Sequence, residues 1–206
     1  MNRVIGYIDG FNLFFGLRDS GLRRYYWLDP AKLIANLLKP DQSLVGTRYF
    51  TARIGSNTAD PDKHLRQQTY LEAVETLPGV EITFGQYLSK PKSCRRCQTT
   101  WTHSEEKMTD VNIAVRLLTD AMDDAFDTAI IVSADSDLVP PVQVIRQRFP
   151  GKRVIIASPP NRHSTRLAEA ANACFTIGRK KLADSQLPDQ VIKPDGFVLQ
   201  RPVQWR

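Results

Sequence analysis

Short, continuous apolar runs alternate with amphipathic segments along most of this chain. The runs "RVIGYID" (3–9), "DTAIIVS" (127–133) and "KRVIIAS" (152–158) are rich in β-branched residues. Such runs are typical of strands that are buried on both faces of a parallel sheet. The intervening segments are long enough for crossover helices. The sequence therefore predicts an α/β fold, a Rossmann-like three-layer sandwich with a mainly parallel central sheet.

The same reasoning places the remaining elements. Further strands are predicted at 43–54, 80–88 and 174–178, and helices at 11–21, 30–38, 60–79, 105–124, 137–151 and 161–172. In the second helix, Asp29 is a good N-cap and Pro30 suits the first helical position. From about residue 182 the chain has scattered prolines and no periodicity. We expect a domain over 1–180, with a basic, cysteine-containing insertion at about 89–104, and an extended tail over 181–206.

The overall composition narrows the class of protein. The chain has 206 residues and a net charge of +6, which suits one domain with an anionic partner, nucleic acid being the commonest. No apolar run approaches the roughly 20 residues that span a bilayer, and from the first residues we expect no signal peptide. Three cysteines, an odd number, argue against a disulfide framework. We expect a cytoplasmic protein with no membrane partner.

Four aspartates fall where parallel strands place ligands. Asp9 ends the first strand, and Asp135 and Asp137 follow the strand at 127–133. Both strands precede helices, so both loops open at the carboxyl edge of the sheet. Asp110 lies in the first turns of the helix at 105–124. We expect a helix that enters a strand to begin at the opposite edge, so Asp110 joins the others only if segment 89–104 carries the chain back across.

Such a cluster of carboxylates favours a bound cation. Clustered carboxylates repel one another until one takes up a proton or a metal neutralises the group. Oxygen ligands with few histidines suit Mg²⁺ or Mn²⁺, and such an ion serves phosphoryl chemistry. No Walker lysine loop or GxGxxG motif follows the first strand. Taken singly, Asp9 could belong to a plain turn, Asp110 could favour a helix N-terminus, and Asp135 or Asp137 could be an N-cap.

Three segments together carry a family resemblance. They are "YIDGFNLFFG" (7–16), "EEKMTDVNIAVRLL" (105–118) and "DTAIIVSADSDLVPPV" (127–142), and "GKRVII" (151–156) also fits. The chain resembles the NYN-domain family, in the LabA-like branch of the PIN-like metal-dependent ribonucleases. The resemblance implies a PIN-type sheet with an acidic pocket at its strand ends. It also implies an RNA substrate and cleavage that leaves a 5′-phosphate.

The resemblance assigns roles to individual residues. It implies that the four aspartates (Asp9, Asp110, Asp135 and Asp137) hold Mg²⁺ or Mn²⁺. It implies that Asn12 and Lys107 position water or substrate. Ala134 stands where the family usually has glycine, and it would add strain if that position needed a positive φ.

The insertion offers part of a zinc site. Cys94 and Cys97 form a C-x-x-C pair, and His103 follows six residues later. A structural zinc ion needs four ligands, so His64 or Cys174 would have to supply the fourth. The alternative is a loop without metal. A redox function is disfavoured because the pair does not open a helix after a strand.

Basic residues are candidates for RNA contacts. Those near the expected active edge or in the insertion are Arg53, Lys63, Arg66, Arg95, Arg96 and Arg162. Each alone is an ordinary surface charge, but together they would guide a polyanion to the acidic pocket. Basic residues interleaved with Trp101 could also hold a single strand by phosphate contact and stacking.

Three functions follow from these observations. The leading hypothesis is a metal-dependent ribonuclease, endonucleolytic on single-stranded or loop RNA, because unpaired bases can enter a narrow pocket. The second is a catalytically idle module that binds nucleic acid or protein. The third is a phosphatase for small esters, which would need a D-x-D pair where the chain has Asp9-Gly10-Phe11. A homodimer is compatible with each.

Overall fold

The computed structural model describes residues 1–55 and 60–206, without the side chains of residues 89, 90 and 101–105. The strands are β1 (Asn2–Asp9), β2 (Gln42–Thr51), β3 (Val80–Phe84), β4 (Gln86–Ser93), β5 (Thr100–Lys107), β6 (Thr128–Val132), β7 (Arg153–Ser158), β8 (Ala173–Thr176), β9 (Gln190–Ile192) and β10 (Val198–Gln200). The α-helices are α1 (Gly10–Asp19), α2 (Pro30–Leu37), α3 (Lys63–Glu75), α4 (Thr109–Met122), α5 (Val139–Arg148), α6 (Thr165–Ala170) and α7 (Arg179–Ala183).

A six-stranded sheet of order β3-β2-β1-β6-β7-β8 forms the centre of the fold. Every neighbouring pair in it is parallel, so the predicted α/β sandwich is confirmed. The chain builds outward from β1 to β3 on one side and from β6 to β8 on the other. Ligands of such sheets bind in the crevice outside the carboxyl ends of the two central strands, here β1 and β6.

Alternate residues of the central strands enter two separate apolar layers. Val4 and Ile8 of β1 pack in the layer covered by α1, α2, α3 and α7. Ile5 and Tyr7 pack in the layer covered by α4, α5 and α6. Burial on both faces explains why β1 reads as a continuous apolar run. The predicted cap of α2 is also confirmed, since Asp29 Oδ1 accepts a 2.9 Å hydrogen bond from Lys32 N.

The predicted insertion is a β-hairpin. The predicted strand 80–88 divides into β3 and β4 at Gly85, and β4 pairs antiparallel with β5. A Cβ at Gly85 would lie 2.5 Å from the carbonyl oxygen of Lys107, so only glycine allows this bend. Helix α4 therefore begins at Thr109, and the prediction that it begins at 105 is wrong because residues 105–107 belong to β5.

The direction of α4 also differs from our expectation. A helix that connects two parallel strands begins at the carboxyl edge of the first and returns to the amino edge of the second. The hairpin leaves and rejoins this edge at the same place, with Gln86 paired to Lys107. Segment 89–104 therefore need not carry the chain across the sheet, and Asp110 still lies at the carboxyl edge.

The C-terminal segment is not the extended tail that we predicted. Helix α7 and the β9–β10 hairpin follow the last sheet strand, and Trp205 is only 8% exposed. The apolar residues of this segment, Leu182, Leu187, Val191 and Leu199, join the layer that contains α2 and α3. Each of these residues stands alone between prolines and charged residues, so the sequence shows no periodic apolar pattern there. Within the described residues, no helix has the length and apolar character to cross a bilayer.

Candidate metal and nucleic-acid site

Asp9 is a buried carboxylate at the end of β1. It caps α1 by accepting a 2.9 Å hydrogen bond from Asn12 N, and it accepts a second, of 3.0 Å, from Ser133 Oγ. Its side chain is 4% exposed. Burial, together with the nearby charges of Asp110 and Glu106, raises the pKa of Asp9 to about 7, even though both hydrogen bonds act in the opposite sense. The turn at Asp9 is therefore a helix cap and also an electrostatically strained site.

Asn12 and Ser133 tie the start of α1 to the loop that follows β6. Asn12 Oδ1 accepts a 3.1 Å hydrogen bond from Ala134 N, and Ser133 Oγ accepts one of 3.1 Å from Asp135 N. The structure therefore places Asn12 as a residue that holds this loop. Ala134 is not among the residues with positive φ, so the strain expected from the missing glycine does not arise.

Asp110 lies in the first turn of α4 and is half-buried. Burial raises its pKa to about 6, and the negative charges of Asp135, Glu106 and Asp137 add to the effect. The charges of Asp135 and Asp137 raise the pKa of Asp110, and the charge of Asp110 raises the pKa of Asp9. The four predicted acids therefore lie in one region. That the four acids hold a common metal ion stays a prediction.

Asp135 and Asp137 differ in their surroundings. Asp135 Oδ1 accepts a 2.9 Å hydrogen bond from Asp137 N and caps the 3₁₀ turn Ser136–Leu138. Asp135 is half-buried, whereas Asp137 is exposed. The N-cap interpretation is therefore correct for Asp135, and it leaves the second carboxylate oxygen of this residue for another role.

Glu106 is a fifth acid, which our sequence reasoning missed. Its Oε1 accepts a 3.0 Å hydrogen bond from Thr109 N, across the left-handed Met108 at φ 76°. Its charge contributes to the raised pKa values of both Asp9 and Asp110. The sequence signal for Glu106 is a glutamate three residues before the first residue of a helix. We did not recognise it because we predicted residues 105–124 as one helix. The neighbouring Lys107 ends β5 and is exposed.

The acidic region fits a hard divalent cation by its chemistry. All its side-chain donors are carboxylate oxygens, the ligands that Mg²⁺ and Mn²⁺ prefer. The raised pKa values of Asp9 and Asp110 mean that a cation would favour their ionised forms. Among the described residues, no three His, Cys, Asp or Glu side chains already surround one point. Binding would therefore need side-chain rotation, which the exposed position of Asp137 permits.

Comparison with known proteins identifies the family of this chain. The family model described as "NYN domain" matches residues 3–178. The chain belongs to the NYN-domain family. A curated relative from Pseudomonas putida, 6-hydroxy-3-succinoylpyridine 3-monooxygenase HspA, is 29% identical over an alignment that covers 68% of this chain. That alignment covers 54% of the relative, so the chain spans about half of its length.

A solved structure shows a similar fold. It is the crystal structure of a protein of unknown function from Vibrio parahaemolyticus, with a TM-score of 0.53 and 20% sequence identity. The match covers 90% of this chain and 96% of that chain. At this identity the likeness concerns the fold of the NYN domain alone.

The C-x-x-C pair of this NYN domain lies at the tip of the β4–β5 hairpin. Cys94 N donates to Thr99 O and Gln98 N donates to Cys94 O, both at 2.9 Å. Both thiols are free. A 3.2 Å hydrogen bond joins Cys97 Sγ and Thr99 Oγ1, and hydrogen bonding to Thr99 and then Cys94 lowers the pKa of Cys97 to about 7. Thiolate is the form that binds metals.

The other proposed zinc ligands lie apart from this tip. His103 is paired with Lys90, three residues beyond Thr100 along β5, which is about 10 Å of strand. The side chain of His103 lies outside the described residues. His64 belongs to α3, and Cys174 to β8 at the far edge of the sheet. The fold thus brings two of the predicted zinc ligands together.

The basic residues fall into two groups. Three of them are paired with carboxylates: Arg53 with Glu75, Arg66 with Asp60, and Arg162 with Asp19. The other three, Lys63, Arg95 and Arg96, have no ion pair within the part of the chain that the structure describes. Arg95 and Arg96 are exposed between the two cysteines. Within the described residues, no carboxylate neutralises the charges of this second group.

Proposed function

We propose that this NYN-family protein is a metal-dependent ribonuclease that hydrolyses phosphodiesters of single-stranded RNA, by internal cleavage that leaves a 5′-phosphate. The observation that carries the proposal is Asp9, a carboxylate that is 4% exposed and has a pKa of about 7. It lies at the carboxyl ends of the central strands, near Asp110 and Glu106. A group of this kind, in such a crevice, is a functional-site candidate.

Each part of the site would have a defined role. Asp9, Asp110, Asp135 and Asp137 would hold Mg²⁺ or Mn²⁺. When bound, the metal makes an attacking water more acidic and stabilises charge on the leaving oxygen. Asn12 and Ser133 hold Asp9 in one orientation through their 2.9 and 3.0 Å hydrogen bonds. The exposed Lys107, next to Glu106, would bring a positive charge towards the substrate phosphate.

Rival functions make different use of the acids. An idle module that binds polyanions gains nothing from a buried, repulsive carboxylate cluster. A small-ester phosphatase lacks its second aspartate, because Phe11 occupies that position. The activity in the name of the Pseudomonas putida relative, oxygenation of a substituted pyridine, belongs to a protein about twice as long. We treat that activity as an outcome of the experiment.

One experiment separates these functions. The purified chain is incubated with labelled RNA, labelled DNA, p-nitrophenyl phosphate or a hydroxypyridine with a reductant and air, each with Mn²⁺ or EDTA. We expect cleavage of RNA in the presence of Mn²⁺ and none in the presence of EDTA. Asp9→Asn should abolish this cleavage. The matched control Asp41→Asn, which changes an exposed acid before β2, should retain it. RNA binding without cleavage would support the idle module. Turnover of either small molecule without RNA cleavage would support the corresponding enzyme.

A structural zinc ion at the hairpin tip is a separate proposal. Cys94 and Cys97 supply two ligands, and a closed tetrahedral site needs two more. The same pair from a second copy of the chain would supply them at an exposed tip. This arrangement would hold one zinc ion for every two chains and would join the two chains as a homodimer.

A further inference from the structure

A cavity of about 570 Å³ opens beside the acidic region, on the side of the sheet covered by α1 and α3. We call it the aromatic cavity because aromatic side chains form much of its wall. Six of them are Phe11, Phe14, Phe15, Tyr26, Tyr87 and Trp205. Its volume lies within the usual range for small-ligand sites, about 300–1,000 Å³. None of these six residues is needed for the metal site proposed above.

Trp205 belongs to the apolar core, whereas the other five aromatic side chains of this wall are only partly buried. Phe11, Phe14, Phe15, Tyr26 and Tyr87 are all half-buried, although phenylalanine is among the residues most often fully buried. Phe11 and Tyr87 are stacked, with ring centroids 6.1 Å apart and planes 8° apart. Phe14 and Tyr26 pack on each other at 4.9 Å. The remaining ring surface faces the cavity and suits a flat, aromatic ligand.

The charged residues of the wall favour an anion. Four cations and two carboxylates line the cavity: Arg18, Arg23, Lys63, Arg66, Asp60 and Asp62. Asp60 is paired with Arg66. Lys63 and Arg23 have no carboxylate partner among the described residues, and Lys63 Nζ lies 5.8 Å from the centre of the Phe14 ring. A ligand with a flat ring and an attached anionic group would meet both features.

Two lining residues of the cavity are neighbours of the acids. Gly10, which lines the cavity, directly follows Asp9, and a Cβ there would lie 2.7 Å from Tyr49 Oη. Tyr87, which also lines the cavity, is the ladder partner of Glu106. Ladder partners in antiparallel strands have Cα atoms about 4.5–5.5 Å apart. The cavity and the acidic region therefore adjoin each other at Gly10 and at Tyr87.

We propose that the aromatic cavity binds the base of one nucleotide of the RNA substrate, with Phe11, Phe14 and Tyr26 against the base and Lys63 near its phosphate. This inference rests on the proposed ribonuclease function and adds the way in which that site holds its substrate. A base is flat and carries an anion one ribose away, and stacking on aromatic side chains tolerates every base. The cavity would thereby select unpaired nucleotides, whose bases can leave the strand.

The test measures binding of uridine 5′-monophosphate by titration calorimetry, independently of cleavage. Loss of one stacking ring should weaken binding by about 5- to 150-fold. We therefore expect Phe14→Ala to raise the Kd within that range. Phe197→Ala, which removes an exposed ring that does not line the cavity, should leave the Kd unchanged. Phe14→Leu keeps an apolar side chain without the ring, and it should also weaken binding. It replaces Phe14→Ala in the test if that variant does not fold.

A second pair of variants tests the charge. Lys63→Gln should weaken binding of uridine 5′-monophosphate several-fold and leave binding of uridine unchanged, since uridine has no phosphate. The exposed Lys32→Gln on α2 is the matched control. Benzoate is the competing probe, an aromatic anion without ribose. Tighter binding of benzoate than of the nucleotide would overturn the assignment in favour of a free aromatic acid.

The outcomes separate this inference from the proposed function. If the wild type cleaves RNA, and neither Phe14→Ala nor Phe14→Leu alters nucleotide binding, the cavity inference is overturned and the ribonuclease stands. If the wild type binds the nucleotide through Phe14 and Lys63 but cleaves no RNA, the ribonuclease is overturned and nucleotide binding in the cavity stands. If the wild type does not bind the nucleotide, the cavity inference fails whatever the cleavage assay shows.

Discussion

Ser133 Oγ donates a 3.0 Å hydrogen bond to Asp9 Oδ2, across the end of two neighbouring parallel strands. The same hydroxyl oxygen accepts a 3.1 Å hydrogen bond from Asp135 N. One fully buried hydroxyl therefore orients the carboxylate of β1 and the first residue of the acidic loop after β6. Ser133 is a positioning residue of the proposed site.

Removal of this hydroxyl should affect stability and metal binding together. Ser133→Ala leaves Asp135 N without its partner and Asp9 with one hydrogen bond fewer, which should lower the free energy of unfolding by about 1–3 kcal/mol. Loss of a residue that orients ligands typically lowers metal affinity by about 10- to 100-fold. Urea denaturation and a Mn²⁺ titration measure the two effects. Ser136→Ala, exposed in the following turn, should change neither. A Ser133→Ala protein with wild-type Mn²⁺ affinity would contradict the positioning role.

The pH dependence of stability should reveal the strained Asp9. Its pKa is about 7 in the folded protein against an ordinary value of 3.8, so between these two pH values the folded state holds a proton that the unfolded state releases. Without metal, the contribution of Asp9 to the free energy of unfolding should be largest below about pH 4. It should fall as the pH rises towards 7, by at most about 1.4 kcal/mol per pH unit. Asp9→Asn should flatten this slope and be the more stable protein at about pH 8. Parallel pH profiles of the two proteins in urea denaturation would refute the assignment.

Much of this arrangement was predictable because it depends on strand order alone. Asp9, Asp135 and Asp137 were placed at one edge from the rule that loops after parallel strands open together. Glu106 was missed because a hairpin strand next to a helix reads as a longer helix. The aromatic cavity was missed although Phe11, Phe14 and Phe15 have helical spacing, because its other walls come from Tyr87 and Trp205, which are distant in sequence. Contacts of that kind follow from tertiary packing, and local periodicity does not encode them.

Divalent cations should stabilise the protein more at high pH than at low pH. Protons and metal compete for the same carboxylates, and the pKa values of Asp9 and Asp110 are about 7 and 6. The rise in melting temperature with saturating Mn²⁺ should therefore be larger at about pH 8 than at about pH 5. Asp110→Asn should reduce the rise at both values, whereas the exposed Asp41→Asn should preserve it. An equal rise in wild type and Asp110→Asn would exclude Asp110 from the metal site.

Zinc at the hairpin tip should appear in the composition of the purified protein. If Cys94 and Cys97 of two chains share an ion, elemental analysis of protein prepared without chelators should give about one zinc for every two chains. Light scattering should show a dimer that a chelator separates. The double variant Cys94→Ser/Cys97→Ser should lose both the zinc and the dimer, and Cys174→Ser, in β8, should keep them. One zinc for each chain in a monomer would instead require ligands from the same chain, and zinc-free protein would remove the proposal.

The hairpin arginines should control the salt dependence of RNA binding. The logarithm of the binding constant for a single strand falls with the logarithm of salt concentration, with a slope of about −0.7 for each phosphate contacted. Replacing Arg95 and Arg96 by alanine should therefore flatten the slope by about 1.4 if both reach phosphate. Cleavage of a dinucleotide should hardly change, since the aspartates lie at the other end of the hairpin. The control, Arg148→Ala/Arg153→Ala, removes two exposed arginines at the end of α5 and the start of β7, at the opposite edge of the sheet. An unchanged slope in the hairpin variant would mean that the hairpin does not touch RNA. Phosphate binding would then be assigned to Lys63, Arg53, Arg66 and Arg162.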